Sequence, residues 1–138
     1  MYTNADITIY NLIPQQGIEK ENYIKTQIKE VFFEKTRGIA ESENGIKKED
    51  NINVYIPIDS LNNLNKSYKS PKEFLNTNEK SNYYTFKPKD IVVKDLIDDD
   101  NVTLKELKKK YDDVYTIQSI SDNRYGSEEL QHFHIIAK

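Results

Sequence analysis

Two histidines lie near the end of the sequence, at His132 and His134 on either side of Phe133. In an extended strand, residues i and i+2 share one face about 7 Å apart. Imidazoles so placed can share a metal ion, but a third and a fourth ligand are needed, and the chain has no cysteine to supply one. The plainer reading is two polar positions on a solvated strand face. His132 and His134 are therefore the metal candidates, while no cofactor is expected.

Asp98-Asp99-Asp100-Asn101 gathers hard oxygen ligands of the kind calcium takes. It lacks the spaced acidic pattern, the central glycine and the closing bidentate Glu of a calcium-binding loop. A solvated loop ahead of a helix N-terminus, where the dipole favours anions, accounts for it as well. Asp112-Asp113 follows Lys108-Lys109-Lys110, which suggests surface ion pairs at a helix end or a subunit contact.

No nucleophile constellation is present. There is no Gly-x-Ser-x-Gly, no phosphate-binding glycine-rich loop and no dinucleotide fingerprint. With 4 glycines there is little material for a phosphate cradle. The expectation is a non-enzymatic protein with no catalytic residue. The 10 tyrosines and 5 phenylalanines carry more information. Tyrosine is enriched at protein–protein interfaces because it buries area while keeping a polar tip. Tyr68, Phe74, Tyr83 and Tyr84, with Asp112 and Asp113, are the interface candidates. The tyrosines fit equally well as half-buried sheet residues.

The elements that must position these residues are mostly strands. Asp6–Tyr10 alternates apolar and polar residues and is closed by Asn11 and Pro14. In Tyr23–Thr36, Ile24, Thr26 and Ile28 share one strand face, whereas Val31 and Phe33 share one out of step with them. A bulge near Lys29-Glu30 explains the phase change. A helix through Ile24, Ile28, Val31 and Phe32 is the competing reading. Residues 38–51 are polar and read as an exposed loop. Ile52–Ile58 is a strand whose Pro57 suits an edge or an end.

Residues 59–82 form a second long polar excursion, in which Ser70 and Pro71 signal a short helical turn. Tyr83–Phe86 is β-prone, 87–90 a turn and Ile91–Val93 a compact buried strand. Thr103 begins the one full helix expected, 103–111. Leu104, Leu107 and Tyr111 form its apolar stripe, Glu106 stands at capping-box spacing, and three lysines fill its last turn. Val114–Ile120 is a strand, 121–127 a turn region, and Leu130–Ile136 a closing strand with Phe133 and Ile135 on one face. The fold expected is mainly β: one domain over 1–138, a small antiparallel barrel or sandwich of about six strands with one helix and two long loops.

Composition bounds the partners. A 138-residue chain carrying 36% hydrophobic and 31% charged residues has a thin core but is rich enough in aromatics to fold. A net charge of -3 gives no general attraction to nucleic acid or anionic membranes. No apolar run approaches the roughly 20 residues of a membrane helix. The N-terminus lacks the pattern of a signal peptide, and the absence of cysteine suits a reducing compartment.

Several segments, in order, resemble a family of small phage and prophage structural proteins, the head-completion or stopper proteins of the head–tail connection. They are Asn4–Asn11, Ile28–Phe33, Val54–Pro57, Pro88–Lys94, Leu107–Ile117 and Gly126–His132. The resembled pattern often has Gly where Glu30 and Asp95 stand here. The resemblance implies a small barrel assembled into a homo-oligomeric ring at the neck. Such a ring is made in the host bacterial cytoplasm and ends in the virion, with portal or adaptor and tail proteins as partners. Double-stranded DNA passes through it without sequence-specific binding, and no membrane is involved. Tail-completion, tail-terminator and minor tail proteins are the alternatives within this class. A soluble metal-dependent binding module built on His132 and His134 is the alternative outside it.

Overall fold

The computed structural model describes residues 2–14, 22–42 and 45–138, with the backbone alone for 37–42 and 45–50. Six strands close an antiparallel barrel in the order β1-β2-β3-β8-β7-β6. They are β1 (Ala5–Ile13), β2 (Asn22–Ser42), β3 (Gly45–Pro57), β6 (Ile91–Lys94), β7 (Val114–Asn123) and β8 (His132–Ala137). Between β3 and β6 the chain forms α1 (Ile58–Asn62), β4 (Ser67–Tyr68), α2 (Pro71–Leu75) and β5 (Tyr83–Tyr84), and α3 (Leu104–Lys110) joins β6 to β7. The expected six-stranded antiparallel fold is thus a closed barrel; α3 is the predicted helix, α2 the helical turn signalled by Ser70 and Pro71, and α1 is an addition.

Strand character follows the side chains. Ile7, Ile9, Ile28, Val54, Ile56 and Ile135 fill the barrel interior with alternating apolar positions. β6 is apolar on both faces because both are covered, and β1 buries Thr8 and Tyr10 on its outer face as well as Ile7 and Ile9 on its inner one. Val92 points inward, while Tyr10, Ile91 and Val93 meet Leu107 of α3 on the outside. α3 begins at Thr103, whose hydroxyl accepts the Glu106 N–H at 3.3 Å.

The phase change in β2 is a bulge. Ala5 pairs with Val31 and Ile7 with Ile28, so Lys29 and Glu30 together oppose Asp6. Glu30 has φ 61°, and its N–H donates to Asp6 Oδ1 at 3.0 Å. Asp95, the other position where the resembled pattern often has Gly, has φ 90°. Its N–H donates to the Asp6 carbonyl at 2.8 Å and its own carbonyl accepts from Thr8 Oγ1 at 2.8 Å.

Three expectations need correction. Residues 38–42 and 45–51 are strand, not loop: β2 and β3 stay paired from Phe32↔Tyr55 out to Ser42↔Gly45. The excursion 59–82 is a folded cap, not an open loop. It buries Leu61 and Phe74, and Lys66 Nζ ties it to β2 through the Lys25 carbonyl at 2.7 Å. The β-prone Tyr83–Phe86 does begin as a strand, outside the barrel: Tyr83 and Tyr84 pair in parallel with Ser67 and Tyr68, and Phe86 packs against Phe133. Ser121–Asn123 is not a turn: it extends β7 opposite His134 to His132.

Candidate functional site

The barrel has closed on itself, so each of its strands has a neighbour on both sides. The paired ends of β2 and β3 are different. β1 reaches β2 no further than Ala5↔Val31, and β8 reaches β3 only from Ile52 onward. Asn4 extends the first ladder by one step. Its side-chain amide accepts the Phe33 N–H at 2.7 Å and donates to the Phe33 carbonyl at 3.0 Å, copying a strand residue. Beyond this clamp, Thr36–Ser42 and Gly45–Asn51 have only each other as backbone partners among the described residues. Seven residue pairs at about 3.4 Å per residue make an arm projecting about 24 Å.

At the arm's root the outer barrel face carries a strip of rings. Tyr2 meets Phe32 edge-on at 5.8 Å, Phe32 lies 5.8 Å from Tyr55, and Tyr55 stacks on His134 at 4.3 Å. Tyr2, Phe32, Glu34, Tyr55 and His132 line a shallow groove of about 450 Å³.

The structure places both histidines on this outer strip, as the alternation predicted, and commits their ring nitrogens. His132 Nδ1 lies 2.8 Å from the Leu130 carbonyl and Nε2 lies 3.2 Å from Asn123 Nδ2. These partners fit the neutral tautomer protonated at Nδ1. His134 Nε2 bonds Asn53 Oδ1 at 2.8 Å. Burial, and then the neighbouring His132, hold the His134 imidazole below its ordinary value. Among the described residues no three metal-ligating side chains converge.

The cap and the end of β7 enclose a cleft of about 690 Å³. Tyr68, Tyr84 and Phe133 line it, and burial pushes the Tyr84 phenol up to about 12. Arg124 lies at its rim, 4.9 Å from both the Tyr68 and Phe133 ring centroids, while Nε and Nη2 hold Asp122 at 2.8 and 2.7 Å. This guanidinium already holds a carboxylate within the chain while it covers the aromatic rings of the cap.

The interface candidates separate. Phe74 and Tyr84 are buried within the protomer, which removes them from any exposed surface. Tyr68 is half-buried beneath Arg124, and Tyr83 is half-buried with Lys69 Nζ 4.4 Å from its ring centroid. Asp112 is exposed, whereas Asp113 accepts the Tyr115 hydroxyl at 2.8 Å.

The acidic run serves as a tie. Asp98 takes Gln27, Asp99 takes Lys110 and Tyr111 at 2.8 Å each, and Asp100 pairs with Lys25 at 3.2 Å. The first two bonds to Asp99, from Lys110 and then Tyr111, hold its carboxyl below the usual carboxylate range. The arm, the Asn4 clamp and the Tyr2–Phe32–Tyr55 strip were not anticipated. The available signal was Asn44-Gly45, a dipeptide favoured in tight hairpins.

These features define a small closed-barrel protein with a projecting two-stranded arm and an aromatic strip at the arm's base. The chain belongs to the family of unknown function DUF6751, whose model matches residues 2–138. No curated protein and no solved structure matches it.

Proposed function

We propose that this chain is a non-enzymatic structural subunit of a phage or prophage virion. It forms a ring at the head–tail connection, of the head-completion or stopper type, that extends the DNA channel and docks the tail. The observation that carries this reading is the arm. A two-stranded ribbon is marginal in water alone, and its open edges invite pairing with another chain. A protruding element that engages the next copy about an axis closes a ring. The ordered strand segments resembling stopper proteins support a position at the neck. The net charge of -3 suits a conduit that must not grip the phosphate backbone.

The test is deletion of the gene from an inducible prophage, followed by electron microscopy and particle proteomics. The expected result is filled or leaking heads beside complete free tails, with the protein present at the neck of wild-type virions. Tails of abnormal length would move the assignment to a tail terminator. Normal, infectious particles from the deletion would overturn it.

A further inference from the structure

Closure of the barrel decides where self-association by strand pairing can occur. Where β2 runs beside β1 alone, the cap lies against it, with Lys66 Nζ on the Lys25 carbonyl at 2.7 Å and Ser60 Oγ on the Glu30 carbonyl at 2.6 Å; the β4–β5 sheet is only two residues deep. Among the described residues, the arm is the element open along both of its edges. Their hydrogen-bonding positions follow from the register. Phe33 turns its N–H and C=O away from β3 and toward Asn4. In an antiparallel ladder the direction alternates with every residue. Arg37, Ile39 and Glu41 therefore turn their backbone groups outward on β2, and their partners Asp50, Lys48 and Ile46 do so on β3.

We infer that the arms of neighbouring copies pair edge to edge, β2 of one against β3 of the next, so that the arms of a ring form one continuous antiparallel sheet. β2 and β3 run in opposite directions. Two arms pointing the same way along an axis therefore place an outgoing β2 beside an incoming β3, which is antiparallel pairing. A two-fold dimer through β2 alone would satisfy one edge of each arm and leave the other open. Only head-to-tail pairing around a closed ring satisfies both. This rests on the reading of the chain as an assembly subunit, but not on its position in a virion.

Proline on an outward position removes an edge donor while leaving the arm's own ladder intact. Ile39→Pro blocks the β2 edge and Lys48→Pro the β3 edge. The test measures mass by light scattering over a wide concentration range, with a thermal melt for each variant. The wild type is expected to form a closed oligomer, and each variant alone to associate at least about tenfold more weakly. Mixed together, the two variants form a one-to-one dimer, because each keeps the edge that the other needs. A third variant, with residues 39–48 replaced by Asn-Gly, stays monomeric in every mixture.

A Lys48→Pro protein that remains dimeric alone would overturn the head-to-tail order. A full oligomer in all three variants would overturn arm pairing and leave the ring standing on other surfaces. A wild type monomeric at every concentration would overturn the arm pairing and weaken the ring reading with it.

Discussion

At the scale of single residues, polar groups decide local geometry more than they suggest chemistry. Asp90 is fully buried, yet its carboxylate accepts Leu12 N–H at 2.9 Å, Asn11 Nδ2 at 2.7 Å and the Lys87 ammonium. It joins the end of β1 to the turn before β6. His134 is the group with a readable pH signature. Its pKa is depressed from 6.5, chiefly by burial and next by His132, so the fold favours the neutral ring; Glu34 opposes this. The stability it contributes is present above the unfolded value and is lost as pH falls through the lower folded one. An NMR titration should place the His134 midpoint below 6.5, and His134→Gln should reduce the loss of stability on acidification. A midpoint at or above 6.5 would contradict this environment. The histidine pair was visible in the sequence as two side chains on one face. Their partners were not: Asn53 and Tyr55 come from a strand far away along the chain, and Asn123 from a segment that read as a turn.

At the scale of elements, legibility follows covering. The β1, β3, β6 and β8 segments could be read because one or both faces meet a core, which imposes alternation or a continuous apolar run. The bulge was legible for the same reason: Ile28 and Val31 both point inward, and their spacing requires an extra residue. The arm has no third strand behind it, so nothing forces its residues into an apolar pattern, and a polar stretch read as a loop. The cap failed differently. Leu61 and Phe74 are buried singly, and Tyr84 and Phe86 by a ring cluster with Tyr68 and Phe133, contacts too distant along the chain to leave a long periodic signal.

The helix was legible in full, because its cap, stripe and last turn agree. Leu107 is buried in the layer between α3 and the barrel. Leu107→Asp should cost at least about 3 kcal/mol, combining lost packing with an unpaired buried charge. Lys109→Gln on the exposed side should change stability by less than about 0.5 kcal/mol. Chemical denaturation of both variants checks the contrast. Equal midpoints would mean that the stripe does not face the barrel.

At the scale of the whole molecule, the design divides into a self-sufficient barrel and an arm that adds no residue to the described cores. The interior cluster takes Phe33 from β2 and Ile52, Val54 and Ile56 from β3, all from the barrel-side portions of those strands. Thr36 and Asn51 face each other at the arm's base. By the alternation set at Phe33 they form a hydrogen-bonded pair, the kind that a two-residue turn can close. Replacing residues 37–50 by Asn-Gly should therefore give a cooperatively folding barrel with its melting temperature within a few degrees of the wild-type monomer. Shortening a connection costs little when no core contact is removed. Calorimetry and far-UV circular dichroism measure this directly. A deletion protein that melts broadly, or loses its β signal, would show that the arm holds the barrel together and does not merely extend from it. A folded deletion protein would instead separate folding from assembly: the core specifies the protomer, and the polar ribbon that makes the composition look thin is left to act outside it.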